Sequence, residues 1–414
     1  ILKLNKIGVA SIGTLGIKYN DNIIKTNLTS PDAITLHKSL DYLKNKKIDN
    51  VIIEASSHGL DQKRLHHIKF RGAIFTNFSQ DHLDYHKTMK TYLNAKLVLF
   101  RKILSKKSTI ISNKEITTFK ILNQIAKKRS LKLVDINKTL KKIKNINLKF
   151  NENFKIRNLA MAIEAVKLSG LSETLIFKSI KKLKDINGRF ELVKRYPNDV
   201  KVFIDYAHTP DALLKTLKSL KNNYGNNISL VFGCGGERDK TKRPIMAKIA
   251  NNNCKKIYIT DDNPRNEKPE KIRDELSKNI LKNKSFNIGN RTLAIKKAIL
   301  NADPKDVILI AGKGHEEQQI NKNKILNISD KKIVKKINIK IKNKLKNNQN
   351  YLQNRLILNK ILGKKKFLNF NGLSIDKRTI KKDNLFLAIK GKKIDGNNFI
   401  KDALKKKAGC IISS

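Results

Sequence analysis

Six short apolar runs in this 414-residue sequence each end in a polar segment, and those segments hold the residue types that could do chemistry. Residues 51–53 run into Glu54-Ala55-Ser56-Ser57-His58-Gly59, and 73–75 into Thr76-Asn77-Phe78-Ser79-Gln80-Asp81-His82. Residues 202–204 lead to Asp205-Tyr206-Ala207-His208-Thr209-Pro210, and 229–232 to Gly233-Cys234-Gly235-Gly236-Glu237-Arg238-Asp239. The last two are Thr260-Asp261-Asp262-Asn263-Pro264-Arg265 and Ala311-Gly312-Lys313-Gly314-His315-Glu316. A carboxylate and an imidazole just past strand ends can hold a divalent cation, and guanidinium groups can fork onto carboxylates or phosphates. Blander readings stand beside these. Glu54 alone could be a surface carboxylate and His82 alone a structural histidine. Thr29-Ser30-Pro31-Asp32 would pass as a helix N-terminus and Asp262-Asn263-Pro264-Arg265 as a turn. The glycines at 233, 235 and 236 permit close backbone approach without forming GxGxxG, so no dinucleotide fingerprint is implied.

The elements that must position these residues follow from the alternation of β-branched runs with amphipathic, Lys-rich stretches over residues 1–330. That pattern predicts βα units with strands at 7–12, 51–53, 72–75, 202–204, 228–232, 256–259 and 307–310. Several are continuously apolar, as in a parallel sheet covered on both faces. Ligands of such sheets bind at the carboxyl ends of the strands, so six functional strand ends should share clefts. Residues 331–350 read as a last amphipathic helix and a linker. A different pattern begins at Leu373-Ser374-Ile375-Asp376-Lys377-Arg378-Thr379 and predicts a small separate module.

The formal charge of +54 would suit nucleic acid. However, Lys, Asn and Ile are enriched in every kind of segment, with no basic stripe interleaved with aromatics, so no nucleic-acid partner is expected. No apolar run reaches the ~20 residues of a membrane helix. The three cysteines lack CxxC spacing and suit a reducing cytoplasm. With Ile first and an apolar strand at its end, the chain reads as cut at both ends.

Together, Asn187-Gly188-Arg189-Phe190-Glu191, Asp205–Asp211, Gly233–Asp239, Asp262–Arg265 and Gly312–Glu316 resemble the Mur ligase family, and within it the MurE type. The resemblance covers about residues 1–330. It implies ATP-dependent joining of meso-diaminopimelate to UDP-MurNAc-L-Ala-D-Glu through an acyl phosphate. The implied fold is α/β: a truncated parallel-sheet P-loop-type ATPase domain at 1–184 and a Rossmann-like C-terminal domain at 185–335. After a linker at 336–350, residues 351–414 would form a small α/β module similar to the N-terminal substrate domain of a MurF-type ligase. That second resemblance rests on Ser374–Thr379, 385–391 and Asp395–Phe399.

By the same resemblance Glu54 and His82 are metal positions for Mg²⁺, and Lys96 is a carbamylated lysine serving the metal. Carbamylation needs a neutral amine, which burial can supply. Thr29, Ser30, Ser56, Gln62 and Arg64 fall where the family binds the UDP-linked substrate. Asn158, Arg189, Asp205 and His208 fall where it binds ATP, with Lys96, Arg189 and His208 as catalytic positions. Arg238, Asp262, Asn263, Pro264, Arg265, Gly312 and Glu316 complete the amino-acid pocket. Arg265 is expected to be the specificity residue, because diaminopimelate differs from lysine by one carboxylate.

The pattern breaks at the phosphate loop, since no G-x-x-x-x-G-K-[ST] occurs in the sequence. Backbone N–H groups that cradle phosphates cannot be replaced by loose lysines. The chain by itself is therefore expected to be inactive and, with an exposed sheet edge, poorly soluble. A lysine-adding relative and a non-catalytic anion-binding module are the alternative readings.

Overall fold

The computed structural model describes residues 1–148, 150–338, 372–376, 378–390 and 394–413. The chain divides into two units, Ile1–Ile339 and Lys340–Ser414.

In the first unit, β1 (Val9–Gly13) pairs in parallel with β4 (Asn50–Ile53) and antiparallel with β2 (Gly16–Tyr19), which pairs with β3 (Asn22–Ile24). The order is β3-β2-β1-β4. This sheet is mixed, where the sequence predicts a parallel one. A tight turn at 14–15 folds the chain straight back before any helix intervenes. β3 is an exposed edge that carries Ile23 and Ile24 into solvent. β5 (Gly72–Phe75), β6 (Thr109–Ser112) and β7 (Lys132–Asp135) form a parallel three-stranded sheet.

Helix α1 (Ala33–Asn45) starts at Asp32, whose side chain accepts from Thr35 N, and α2 (Ser57–Asp61) starts at Ser56, which accepts from Gly59 N. After α3 (Leu83–His86), the carrier of Lys96, α4 (Met89–Val98), opens with a reciprocal Thr88–Thr91 capping box and runs into a π-helical turn, Leu99–Ile103. The next helices are α5 (Phe119–Arg129), α6 (Asn137–Lys144), α7 (Asn153–Lys167) and α8 (Glu173–Ile180).

The second half is a six-stranded sheet: β8 (Glu191–Arg195), β9 (Lys201–Asp205), β10 (Ile228–Phe232), β11 (Lys256–Ile259), β12 (Ser285–Asn287) and β13 (Val307–Ala311). Its order is β12-β11-β10-β13-β9-β8, parallel except for β8. The continuous apolar runs are explained by cover on both faces. Ile228, Leu230 and Phe232 share a core with Leu213 and Leu217 of α9 (Pro210–Tyr224), Met246 of α10 (Lys242–Asn253) and Leu276 of α11 (Pro269–Ser277). Val231, Ile308 and Ile310 face the other way, onto Ile295 and Ile299 of α12 (Arg291–Leu300) and Val334 of α13 (Asp330–Lys336). Each such fully buried aliphatic side chain contributes ~1.5–3 kcal/mol. The strand order reverses at β10–β13, which gathers four loops at one edge of the sheet. A hairpin, β14 (Gln318–Asn321) and β15 (Lys324–Asn327), lies across them: Arg265 N donates to Ile320 O and Lys322 N to Arg265 O.

The second unit holds a parallel sheet of β16 (Gly372–Ser374), β17 (Asn384–Ala388) and β18 (Cys410–Ser413), with α14 (Ile400–Lys405) before β18. Ile380, Phe386, Ala388 and Ala403 form its core. The expected linker beyond residue 338, and Lys377 and Gly391 of the quoted motifs, lie outside the described residues.

Candidate functional site

Glu54 leaves β4 as an exposed carboxylate, and its Oε2 accepts from Thr14 N and Thr14 Oγ1, both at 2.9 Å. Thr14 Oγ1 also meets Thr29 Oγ1 at 3.1 Å. Ser30, fully buried, donates to Glu54 O at 2.8 Å and receives Ser56 N at 2.9 Å. Arg64 Nη1 donates to Ser30 O at 2.9 Å while Nη2 donates to Gln62 Oε1. The expected substrate hydroxyls, amide and guanidinium thus form one hydrogen-bonded patch around the start of α2.

His82 adopts a left-handed backbone (φ 56°) that turns its ring toward His58, 5.0 Å away, and Tyr92, 5.8 Å away. Desolvation holds the pKa of both histidines below the ordinary value. Asp81 is the hub beside them. Its carboxylate lies 3.4 Å from His82 Nε2, 3.5 Å from His208 Nε2 and 3.5 Å from Lys242 Nζ. Burial opposes its ionisation, but the His208 hydrogen bond and the charges of Lys242 and His82 hold it well below the usual carboxylate range. Next to it, Gln80 Nε2 donates to Asp239 Oδ2 at 3.0 Å and Thr241 Oγ1 at 2.7 Å. Residues 80–81 therefore tie the first half of the unit to the second.

Lys96 sits with Nζ 5.2 Å from the centroid of the Tyr92 ring. Burial lowers its pKa, against the pull of Asp81, which raises the fraction of neutral amine. Among the described residues, no group of three or more His, Cys, Asp or Glu side chains is gathered to hold a metal ion. The donors present, an exposed carboxylate and a neutral imidazole, suit a cation that keeps several waters and takes phosphate oxygens for the rest.

Across from these, Arg189 stacks on Tyr206, with Cζ 4.3 Å from the ring centroid, and Tyr206 stacks on His315 at 5.4 Å. His208 Nδ1 lies 2.8 Å from Tyr206 O. Asp205 is buried and accepts from Phe190 N at 2.6 Å, Ala207 N at 2.9 Å and Thr216 Oγ1 at 3.1 Å. Burial raises its pKa. Its oxygens are taken up by protein donors, so it holds the Arg189 turn in place. Asn158 is on an exposed face of α7, one turn from Phe154, which packs against the six-stranded sheet.

The third cluster spans the loops after β10, β11 and β13. Glu316 receives Tyr206 OH at 3.0 Å and Asn263 Nδ2 at 3.2 Å. Asn263 Oδ1 accepts from Ile320 N at 2.9 Å. Gly312 has φ 109°, and a Cβ there would stand 2.5 Å from Asp262 Oδ2, so only glycine lets these loops meet. Arg265 has φ 53°, and its Nη1 reaches Gly236 O at 2.8 Å and Asn263 O at 3.3 Å. It is half-buried and makes no ion pair within 4.0 Å among the described residues. Desolvation, then the nearby charge of Arg238, lowers its pKa. Pro264 is buried and carries the chain into this turn. Arg238 lies 3.9 Å from Asp84, so it too faces the first half.

Sequence reasoning passed over Asp81, Lys242, Thr14 and Tyr206. Asp81 and Tyr206 stand inside the strand-end motifs, which was their only signal. Lys242 is one of 89 basic residues and gives none.

Residues 1–170 match a family described as the Mur ligase middle domain, and residues 188–314 the Mur ligase glutamate ligase domain. Residues 369–414 match the Mur ligase family catalytic domain. The chain is 40% identical over 355 residues to the UDP-N-acetylmuramoyl-L-alanyl-D-glutamate–2,6-diaminopimelate ligase of Rickettsia montanensis, covering 79% of this chain and 73% of that one. To the ligase of the same name from Buchnera aphidicola subsp. Schizaphis graminum it is 38% identical over 361 residues, 80% and 71% of the two. A solved ligase of that name superposes with TM-score 0.52 at 28% identity, over 81% of this chain and 73% of that one. A bifunctional folylpolyglutamate synthase/dihydrofolate synthase from Yersinia pestis shares the fold, with TM-score 0.59 at 15% identity over 75% and 80% of the two chains.

Proposed function

The chain belongs to the Mur ligase family, and from that premise we propose that its residues serve the ATP-dependent joining of meso-diaminopimelate to the D-glutamyl carboxylate of UDP-MurNAc-L-Ala-D-Glu, a reaction that this chain by itself, without a G-x-x-x-x-G-K-[ST] loop, is not expected to complete. It is an ATP-dependent acid–amino-acid ligase of peptidoglycan synthesis that also uses a divalent cation. A carboxylate does not acylate an amine in water. Transfer of the γ-phosphoryl group to it yields ADP and an acyl phosphate. The amine then attacks the acyl carbon, the C–N bond forms, and phosphate and a proton leave. When bound, the cation offsets charge on the transferring phosphoryl oxygens.

The chain's own residues divide the work. Thr29, Ser30, Ser56, Gln62 and Arg64 bind the UDP-linked substrate. Arg189 and His208 face the nucleotide, with Asn158 alongside and Asp205 fixing the Arg189 turn. Glu54 and His82 are the cation's protein ligands, and Lys96 joins them once carbamylated, a step favoured by its lowered pKa. Asp262, Asn263, Pro264, Arg265, Arg238, Gly312 and Glu316 form the amine pocket. ATP as phosphoryl donor and cysteines free of disulfides go with a cytoplasmic setting, and no helix among the described residues is long and apolar enough to cross a membrane. The 369–414 match and the β16–β18 sheet support a MurF-like module at the C-terminus.

One observation carries the choice of amine: the half-buried Arg265 guanidinium beside Arg238, anchored by backbone carbonyls and with no carboxylate within ion-pair distance among the described residues. The second carboxylate of diaminopimelate supplies that partner, and lysine leaves it desolvated and unpaired. A forked charge-assisted pair contributes ~1.5–3 kcal/mol, or about 10- to 150-fold in affinity. Calorimetric titration with both amines tests this. Diaminopimelate should bind more tightly by that factor, and Arg265→Met should erase the difference. Equal binding of lysine and diaminopimelate by the parent chain would refute it.

A further inference from the structure

Arg291 and Asp330 form an ion pair that is completely shielded from solvent on both sides. Each is the first residue of its helix, α12 and α13. Arg291 Nε donates to Asp330 Oδ1 and Nη2 to Asp330 Oδ2, both at 2.8 Å. The same guanidinium reaches two backbone carbonyls, Ala311 O at 3.1 Å from Nη2 and Asp261 O at 3.4 Å from Nη1. Those carbonyls immediately precede Gly312 and Asp262, the residues through which the two loops of the amine pocket touch. One planar cation thus grips both loops from behind, and Asp330 fixes its plane.

A buried ion pair is weak evidence for stability, because desolvating two charges offsets most of their attraction. A geometric role accounts for it better. Arginine presents five N–H donors in a rigid fork, which a flexible lysine ammonium cannot copy. We propose that Arg291, aimed by Asp330, is a positioning residue that sets the spacing of the 261–265 and 311–316 loops and thereby the pocket's preference for a diamine with a second carboxylate. The identity of the amine rests on the ligase reading above; the spacing role does not. α13 lies far along the chain from Arg265, yet it becomes part of the specificity frame.

The test uses the full chain with Arg291→Met/Asp330→Leu, an apolar pair of similar volume, and with Arg291→Lys. Three quantities are read: melting temperature, amide hydrogen exchange, and affinity for meso-diaminopimelate against lysine. The double variant should melt no lower than the parent, since such replacements are often neutral or stabilising. Exchange in residues 261–265 and 312–316 should nevertheless quicken by about tenfold or more while residues 228–232 stay protected. The diaminopimelate-to-lysine affinity ratio should fall by about tenfold, the equivalent of one charge-assisted contact. Arg291→Lys should reproduce both changes, which decides the matter if the double variant does not fold. Unchanged exchange in both loops together with an unchanged affinity ratio in a folded variant overturns the proposal. If the parent itself does not prefer diaminopimelate, the amine assignment fails, and the exchange measurement alone still decides whether Arg291 holds the loops.

Discussion

Gly188 and Gly314 each press on the other's backbone, and this contact joins the turn carrying Arg189 to the loop carrying Glu316. A Cβ on Gly188 would lie 2.2 Å from His315 N and 2.4 Å from Gly314 C, and its φ is +67°. Gly170, which follows α7, has φ +85° and nothing within 4 Å of its missing Cβ. Gly188→Ala and Gly170→Ala therefore form a matched pair. Both place a side chain in the left-handed region, at a cost of ~1–2 kcal/mol. Only Gly188→Ala also forces a methyl into fixed backbone, which adds ~1–3 kcal/mol of overpacking. The expected losses are ~1–2 kcal/mol at Gly170 and ~2–5 kcal/mol at Gly188, measured by urea unfolding followed by circular dichroism. Because the displaced atoms belong to the Gly314–His315 peptide, Gly188→Ala should also weaken diaminopimelate binding, whereas Gly170→Ala should leave it intact. Losses that agree within about 0.5 kcal/mol, the usual noise of surface substitutions, would show that the two loops do not bear on each other.

Burial holds His58, His82, His86 and His315 below the ordinary histidine pKa, so the folded chain refuses protons that the unfolded chain accepts near pH 6.5. Above that pH both states are neutral and nothing is gained or lost. As pH falls from 6.5 toward 5 the unfolded state takes up protons first, so the melting temperature should drop across this window; a flat profile there contradicts the assignment. Burial pushes the Cys234 thiol up to about 11 and that of Cys254 up to about 12, while Cys410 is only partly covered. A thiol reagent at neutral pH should therefore label Cys410 alone in the native chain and all three after unfolding. In bicarbonate buffer, native mass spectrometry should find the chain heavier by one CO₂, and Lys96→Arg should abolish the gain; retention of the adduct in that variant would assign it elsewhere.

The sequence made the frame of the site legible because its strands are continuous apolar runs, and a parallel sheet covered on both faces leaves that mark in β10, β11 and β13. The polar segments after them stood out for the same reason. Hairpins β2–β3 and β14–β15 left no such mark, since β3 and β15 are exposed along their whole length and Lys18, Asn20, Asn22, Lys322 and Lys324 mask any alternation. The antiparallel strand β8 was hidden because residues 191–195 are mostly charged and its pairing with β9 carries a register shift between Leu192 and Lys194.

Composition concealed more than it revealed about charge. Among the described residues, Lys242, Arg243, Arg291 and Lys313 are the buried cations; Lys313 sits in the loop after β13 and the other three in the first turns of α10 and α12. Lys242 faces Asp81, Arg243 bridges Glu267 and Glu275 and reaches Gly235 O, Arg291 grips Asp330, and Lys313 lies 3.6 Å from Glu316. A buried ammonium or guanidinium survives only where a carboxylate or carbonyls meet it. Their partners are set by tertiary folding, not by neighbours in sequence, for all but Lys313. The large positive surplus of the chain thus describes its surface, while the few cations that shape the site are matched by acids from elsewhere in the chain. Arg265 departs from that rule: it is half-buried, beside a second guanidinium and answered only by carbonyls. On the reading proposed above, the second carboxylate of diaminopimelate is the anion that Arg265 lacks within 4.0 Å among the described residues.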